Sequence, residues 1–152
     1  MTAPAADNPD AVLVDANILL FAANPSAPEH AAASSWLAAR LNGERRIGLP
    51  WESLMAFLRI ATHPRAVPRP IQPDEAWGLI DDWLAAPMAW IPQPTERHGD
   101  VLGALIRRYR LGGRLIPDAH LAALAIQHGL DVVSADSDFA RFTEIRWVNP
   151  VR

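Results

Sequence analysis

A chain of 152 residues, half of it hydrophobic and a fifth charged, is long enough to bury a proper core and fits one domain. It contains no cysteine, which excludes disulfides, thiolate metal sites and cysteine nucleophiles. The formal net charge of −3 argues against indiscriminate coating of nucleic acid but leaves room for a local basic patch, and all 14 basic residues are Arg, which excludes chemistry that needs a lysine.

Residues 1–10 are rich in Ala, Pro and Asp, with no basic start and no cleavable apolar stretch. They read as a flexible N-terminal tail ahead of a single domain over 11–152. The apolar run 11–23 is interrupted by Asp15 and Asn17 and is too short to cross a bilayer, so a soluble, cytoplasmic protein is expected. Within it, 11–14 is a continuous apolar run typical of a strand buried on both faces, and a short helix is expected from Ile18. Residues 28–41 read as a helix with Ala32, Trp36 and Ala39 inward and Leu37 as a further inward candidate, stopped by Asn42-Gly43. Residues 46–49 are a brief strand candidate, and Pro50 opens a helix through Ile60 with Leu54, Phe57 and Leu58 on one face.

The four prolines within 64–73 predict an irregular surface loop. A helix over 74–85 follows, with Trp77, Ile80 and Leu84 at helical spacing, then a short strand over 88–91. Residues 95–110 are amphipathic, with Val101, Leu102, Leu105 and Tyr109 inward, and Gly112-Gly113 breaks the helix. A helix over 117–127 closed by Gly129, a strand over 131–134 and an edge strand at Trp147-Val148 complete the chain. Alternation of this kind predicts an α/β sandwich with a mainly parallel sheet of about four or five strands.

Four carboxylates share one topological address. Asp15 follows the first strand, Glu52 and Asp118 sit in the first turns of their helices, and Asp136 follows the strand 131–134. Strand-to-helix junctions of a parallel sheet lie along one edge, where ligands bind. Taken singly, each acid is explained by the helix dipole or by capping. Brought together, they repel one another unless a cation neutralises them, and hard oxygen donors suit Mg²⁺ or Mn²⁺. Spacing alone leaves four separate caps and one divalent-metal site as two open readings.

The residues themselves resemble a known family. Leu13-Val14-Asp15-Ala16-Asn17 looks like the opening strand and D-x-N motif of PIN domains, and Trp51-Glu52-Ser53-Leu54 through Arg59-Ile60 like their glutamate-bearing helix. The run from Pro117-Asp118-Ala119-His120 to Ala125 resembles their D-A-x-L-A-A-L-A segment, and Ser134-Ala135-Asp136-Ser137-Asp138-Phe139 the [ST]-x-D-x-D-F signature. The stretch from Phe57 to Arg65, with Arg69-Pro70 beyond it, is similar to VapC toxins abundant in mycobacteria.

The resemblance covers about Val12 to Val148 and implies a PIN-like three-layer α/β/α sandwich. It further implies a toxin of the VapBC type, an endoribonuclease that cleaves structured RNA with Mg²⁺ or Mn²⁺, acts as a homodimer and is neutralised by a small VapB-like antitoxin. Asp15, Glu52, Asp118 and Asp136 would form the acidic quartet that binds metal and carries catalysis, with Glu52 a candidate for proton removal. Asn17 would orient Asp15 or a metal-bound water, and Ser134 would support the site with its hydroxyl. Asp136 and Asp138 both fit the last acidic slot; Asp136 is nearer the strand end, and Asp138 is expected to cap the turn at Phe139 or to reach the metal through water. The RNA, whether transfer, ribosomal or messenger, is not specified by any of these residues.

Arg45 and Arg46, and Arg110 and Arg114 around the glycine pair, are candidates to hold RNA phosphates, whereas Arg107 and Arg108 read as a solvated helix face. Trp36, Trp77 and Trp83 read as core or interface, and Trp51 as packing or as a platform for a base. The five histidines show no zinc-site spacing, and His120, two residues after Asp118, is expected to face away from it, as a packing residue or a support behind the acids. A phosphotransfer receiver domain and a haloacid-dehalogenase-like phosphatase are excluded by the missing lysine. The competing class is a catalytically silent PIN-fold module that binds RNA or a protein partner.

Overall fold

A computed structural model describes residues 11–152; the expected tail over 1–10 lies outside the described residues. Five strands, β1 (Val12–Val14), β2 (Ile47–Gly48), β3 (Ala89–Trp90), β4 (Asp131–Val133) and β5 (Trp147–Val148), form one sheet in the order β3-β2-β1-β4-β5. Every strand pair is parallel, with Leu13 opposite Gly48 on one side and Val132 on the other. Six α-helices connect them: α1 (Ala16–Ala23), α2 (His30–Leu41), α3 (Trp51–Ala61), α4 (Pro73–Ala85), α5 (His98–Tyr109) and α6 (Ile116–His128).

Alternation along the strands divides the core in two. Val12, Val14, Ile47 and Val133 face Ile18 and Leu19 of α1, Leu37 of α2, Leu54 and Phe57 of α3 and Ile80 of α4. Leu13 and Val132 face the other way, against Leu105 of α5, the alanine-rich face of α6, Phe139 and Phe142. Burial on both faces is why β1 reads as an unbroken apolar run. The three-layer α/β/α sandwich implied by the resemblance is therefore the observed architecture.

The order of strands fixes where a ligand belongs. The chain moves outward from β1 through β2 to β3, then returns to the other flank of β1 to lay down β4 and β5. Between β1 and β4 the connections leave in opposite directions, which opens a crevice at the carboxyl ends of those two strands. Asp15 ends β1 and donates its backbone N–H to the Val133 carbonyl at 2.9 Å, so the ends of β1 and β4 are tied together at that point.

Several local expectations are corrected. In α2 the inward residues are Ala33 and Leu37, while Ala32 and Ala39 are exposed. Leu37 has far more apolar area to bury than an alanine, so it sets the helix phase. Helix α5 stops before the glycine pair, because Arg110 adopts the left-handed conformation (φ 53°) that ends it. Pro73 belongs to α4 as its first residue rather than to the preceding loop. Trp83 is buried edge-on against Phe57, whereas Trp77 is exposed and lies parallel to Trp51 with ring centres 6.4 Å apart.

Gly48 shows how tightly the centre of the sheet is built. A Cβ there would meet Pro92 Cγ at 2.7 Å and the Val12 carbonyl oxygen at 2.9 Å. A Gly48→Val substitution is expected to destabilise the fold by about 3 kcal/mol or more, since overpacking against backbone has no side-chain remedy. Chemical denaturation would check this, and a loss below about 1 kcal/mol would contradict the close packing of β2 on β1.

Candidate metal centre

The crevice is assembled from three segments. Asp15 caps α1, accepting from the Ala16 N–H at 2.8 Å through Oδ1. Asp118 lies in the first turn of α6, where the helix dipole favours an anion. Asp136 follows β4 and caps a short 3-10 turn over Ser137–Arg141, accepting from the Asp138 N–H at 2.9 Å. The cap of this turn is thus Asp136, and the expectation that Asp138 supplies it is corrected. Asp136, just ahead of the turn, reaches the N–H two positions on, whereas both carboxylate oxygens of Asp138 are engaged by Arg114 and Arg141.

Carboxylate oxygens of Asp118, Asp136 and Asp138 come within 4.8 Å of one another. Burial, followed by the charges of Asp136, Asp15 and Asp138, pushes the Asp118 carboxyl up to about 6, against a smaller opposing pull from Arg114. Burial also raises Asp15, with Asp136 adding to the rise and the bonds from Ser134 and Ala16 opposing it. The hydrogen bond from Arg114 Nη1, at 2.6 Å, holds Asp138 below the usual carboxylate range, and Arg141 adds to this at 3.4 Å. The donor set is oxygen only and its negative charge is incompletely compensated, which fits Mg²⁺ or Mn²⁺.

Under the cluster sits a buried polar knot. Ser134, fully buried, donates through Oγ to Asp15 Oδ2 at 2.7 Å and accepts from Asn17 Nδ2 and the Asp136 N–H, each at 3.0 Å. Asn17 also donates to Asp15 Oδ2 at 3.3 Å and accepts from the Ala135 N–H at 3.1 Å. Asp15, Asn17, Ser134 and Asp136, expected to support one site from two distant motifs, form one hydrogen-bonded unit.

Glu52 stands apart from the three aspartates. Its carboxylate oxygen Oε2 is bound by His120 Nε2, and His120 Nδ1 lies 3.0 Å from His98 Nε2. His98 is held below the ordinary histidine value, first by burial and then by His120. Of the two roles expected for His120, packing or support of the acids, the contact with Glu52 gives the second, because α5 lies against α6 and α3 presents Glu52 to the same ring. Nothing in the spacing of His98 and His120, 22 residues apart, signals this contact. Beside Glu52 runs an open groove of about 410 Å³ lined by Trp51, Met55, Pro92, Gln93 and Pro94.

The arginines divide. Arg114, highly exposed, reaches the cluster through Asp138, and Arg110 precedes it on the same connection between α5 and α6. Arg45 and Arg46 come just before β2 and so lie toward the amino end of the sheet, away from the crevice; the Arg46 guanidinium covers the Trp90 ring at 4.0 Å.

Comparison with known proteins agrees with this geometry. Residues 12–145 match the PIN domain family. The chain is 44% identical over 138 residues to ribonuclease VapC37 of Mycobacterium tuberculosis, covering 91% of this chain and 96% of that protein. It is 34% identical over 141 residues to ribonuclease VapC33 of the same species, covering 93% and 99% respectively. Among solved structures, a chain of the Rickettsia felis VapBC2 complex bound to a promoter DNA fragment superposes with a TM-score of 0.66 at 15% identity, over 91% of this chain and 98% of that one, a likeness of fold. With its sheet order, its acidic crevice and a match along nearly its whole described length, the chain belongs to the PIN-domain family, in the VapC branch.

Proposed function

We propose that this chain is an endoribonuclease dependent on Mg²⁺ or Mn²⁺, the toxin partner of a VapB-like antitoxin, acting on structured RNA in the cytoplasm as a homodimer. The observation that carries the reading is the meeting of Asp118, Asp136 and Asp138 within 4.8 Å at the switch point of a parallel sheet. Its relatives at 44% and 34% identity are both named ribonucleases, which supports the same reaction class. The solved neighbours are complexes of the VapBC type, which supports an antitoxin partner. No helix among the described residues is long and apolar enough to cross a membrane.

A divalent cation at this cluster would polarise a phosphate oxygen and lower the pKa of a water. Asp118 and Asp136 are the residues assigned to hold it, with Asp138 and Asp15 beside them. Asp15 keeps one orientation because Ala16, Asn17 and Ser134 fix both of its oxygens. Glu52, in the first turn of α3, is assigned the removal of a proton from the attacking water. Arg114 and Arg110 are assigned to phosphate oxygens of the RNA, Arg114 exchanging Asp138 for the ligand.

Purified protein incubated with total RNA and Mg²⁺ or Mn²⁺ is expected to give discrete cuts that EDTA abolishes, and mapping the ends would name the RNA. Intact RNA under all conditions would favour the silent binding module. Independently of activity, Mn²⁺ at a hundred times its dissociation constant should stabilise the fold by about 2.7 kcal/mol. For a chain of this size that is a rise of roughly 5–10 °C in Tm. A melting curve that ignores both cations would remove the metal from the proposal.

A further inference from the structure

We propose that His120 is a positioning residue for Glu52, locked as the Nε2–H tautomer by a one-directional chain of hydrogen bonds through His98 and Gln127. The inference rests on the reading of Glu52 as proton acceptor and goes beyond it to how that carboxylate is held.

The direction of the chain is set at its far end by a group that can only donate. The Thr95 backbone N–H lies 2.9 Å from Gln127 Oε1, and Thr95 Oγ1 donates to the same oxygen at 2.8 Å. Reversing the amide would set Gln127 N–H bonds against the Thr95 N–H, so Oε1 is the acceptor and Nε2 the donor. Gln127 Nε2 then donates to the Ala123 carbonyl at 2.8 Å and to His98 Nδ1 at 2.6 Å. His98 therefore accepts at Nδ1 and carries its hydrogen on Nε2, which donates to His120 Nδ1 at 3.0 Å. By the same logic His120 carries its hydrogen on Nε2, facing Glu52 Oε2.

The local sequence supplies the parts. His120 and Gln127 are seven residues apart on α6, two turns along one face, and His98 at the first position of α5 bridges the gap between them. The orientation of the donors also decides between two roles. A route that drains a proton from Glu52 needs a ring nitrogen with a vacant lone pair facing the carboxylate, and the nitrogen there already bears hydrogen. The array therefore orients rather than relays.

Two measurements on the full chain test this. Imidazole nitrogen NMR at neutral pH in EDTA is expected to show hydrogen on Nε2 and none on Nδ1 in both His98 and His120; hydrogen on Nδ1 of His120 would overturn the proposal. Cleavage is then followed on an RNA hairpin carrying the site that the wild type cuts. His120→Leu, which fills the space without a donor, is expected to lower kcat about 10–100-fold with KM unchanged, the usual cost of losing an orienting partner. His120→Gln, whose amide nitrogen can stand near the Nε2 position, should recover activity to within about 3-fold of wild type. Equal loss in both variants, or loss in neither, would refute positioning. Wild-type activity retained in Glu52→Gln would refute the role of Glu52, and with it the catalytic part of this proposal, while the tautomers would still report the bond direction; a wild type that cuts no RNA would instead reject the nuclease reading.

Discussion

Asp118→Asn is expected to lower RNA cleavage by about 10²–10³-fold or more, the scale seen when a charge-stabilising group is removed from an active site. The same substitution should make the protein more stable in EDTA at neutral pH. In the folded chain the Asp118 carboxyl titrates near 6, against an ordinary 3.8, because of burial and the neighbouring aspartates. The folded state therefore binds its proton more tightly than the unfolded state. The associated stability is fully present below the unfolded value and is lost as pH rises through the folded one. Wild type in EDTA should thus weaken between about pH 4 and 6, by roughly 1 kcal/mol from this group once solvent screening of a half-exposed carboxyl is allowed for. The asparagine variant should lack that slope. Urea melts at pH 4.5 and 7.5 would check it, and a variant that still cleaves RNA and gains no stability at pH 7.5 would show that the crevice needs no cation.

Ser134→Ala is the second large effect. Its hydroxyl is fully buried and serves Asp15, Asn17 and the Asp136 backbone at once. Removing it leaves those groups short of a partner where water does not reach to replace it, at a cost of about 2–3 kcal/mol. In Tm that is a fall of roughly 5–10 °C. The bond from Ser134 also lowers the Asp15 carboxyl, against the upward pull of burial. The variant should accordingly need higher pH before Asp15 ionises, which moves the acid limb of the cleavage profile to the alkaline side. A variant with unchanged melting and an unchanged acid limb would mean that the hydroxyl is not part of the site.

The alternation of elements was legible because apolar runs and helical spacing are local properties, and the acids at Asp15, Asp118 and Asp136 because parallel topology converts sequence position into one edge. Less legible was anything decided by competition between neighbours. The phase of α2 turned on Leu37 against several alanines. The roles of Asp136 and Asp138 turned on which carboxylate reaches the N–H of its own turn. The contact of Glu52 with His120, 68 positions away, depends on α3 meeting α6, and the contacts of His98 with His120 and Gln127, 22 and 29 positions away, depend on α5 lying against α6. No periodicity in a single chain encodes that.

The outermost strands, β3 and β5, are each two residues long. Such a rim presents only a stub of open backbone, too little to recruit a foreign strand or to seed a fibre through ladder growth. Self-association of this chain is thereby steered away from sheet extension, and any pairing of two copies has to be written in side chains rather than in backbone ladders.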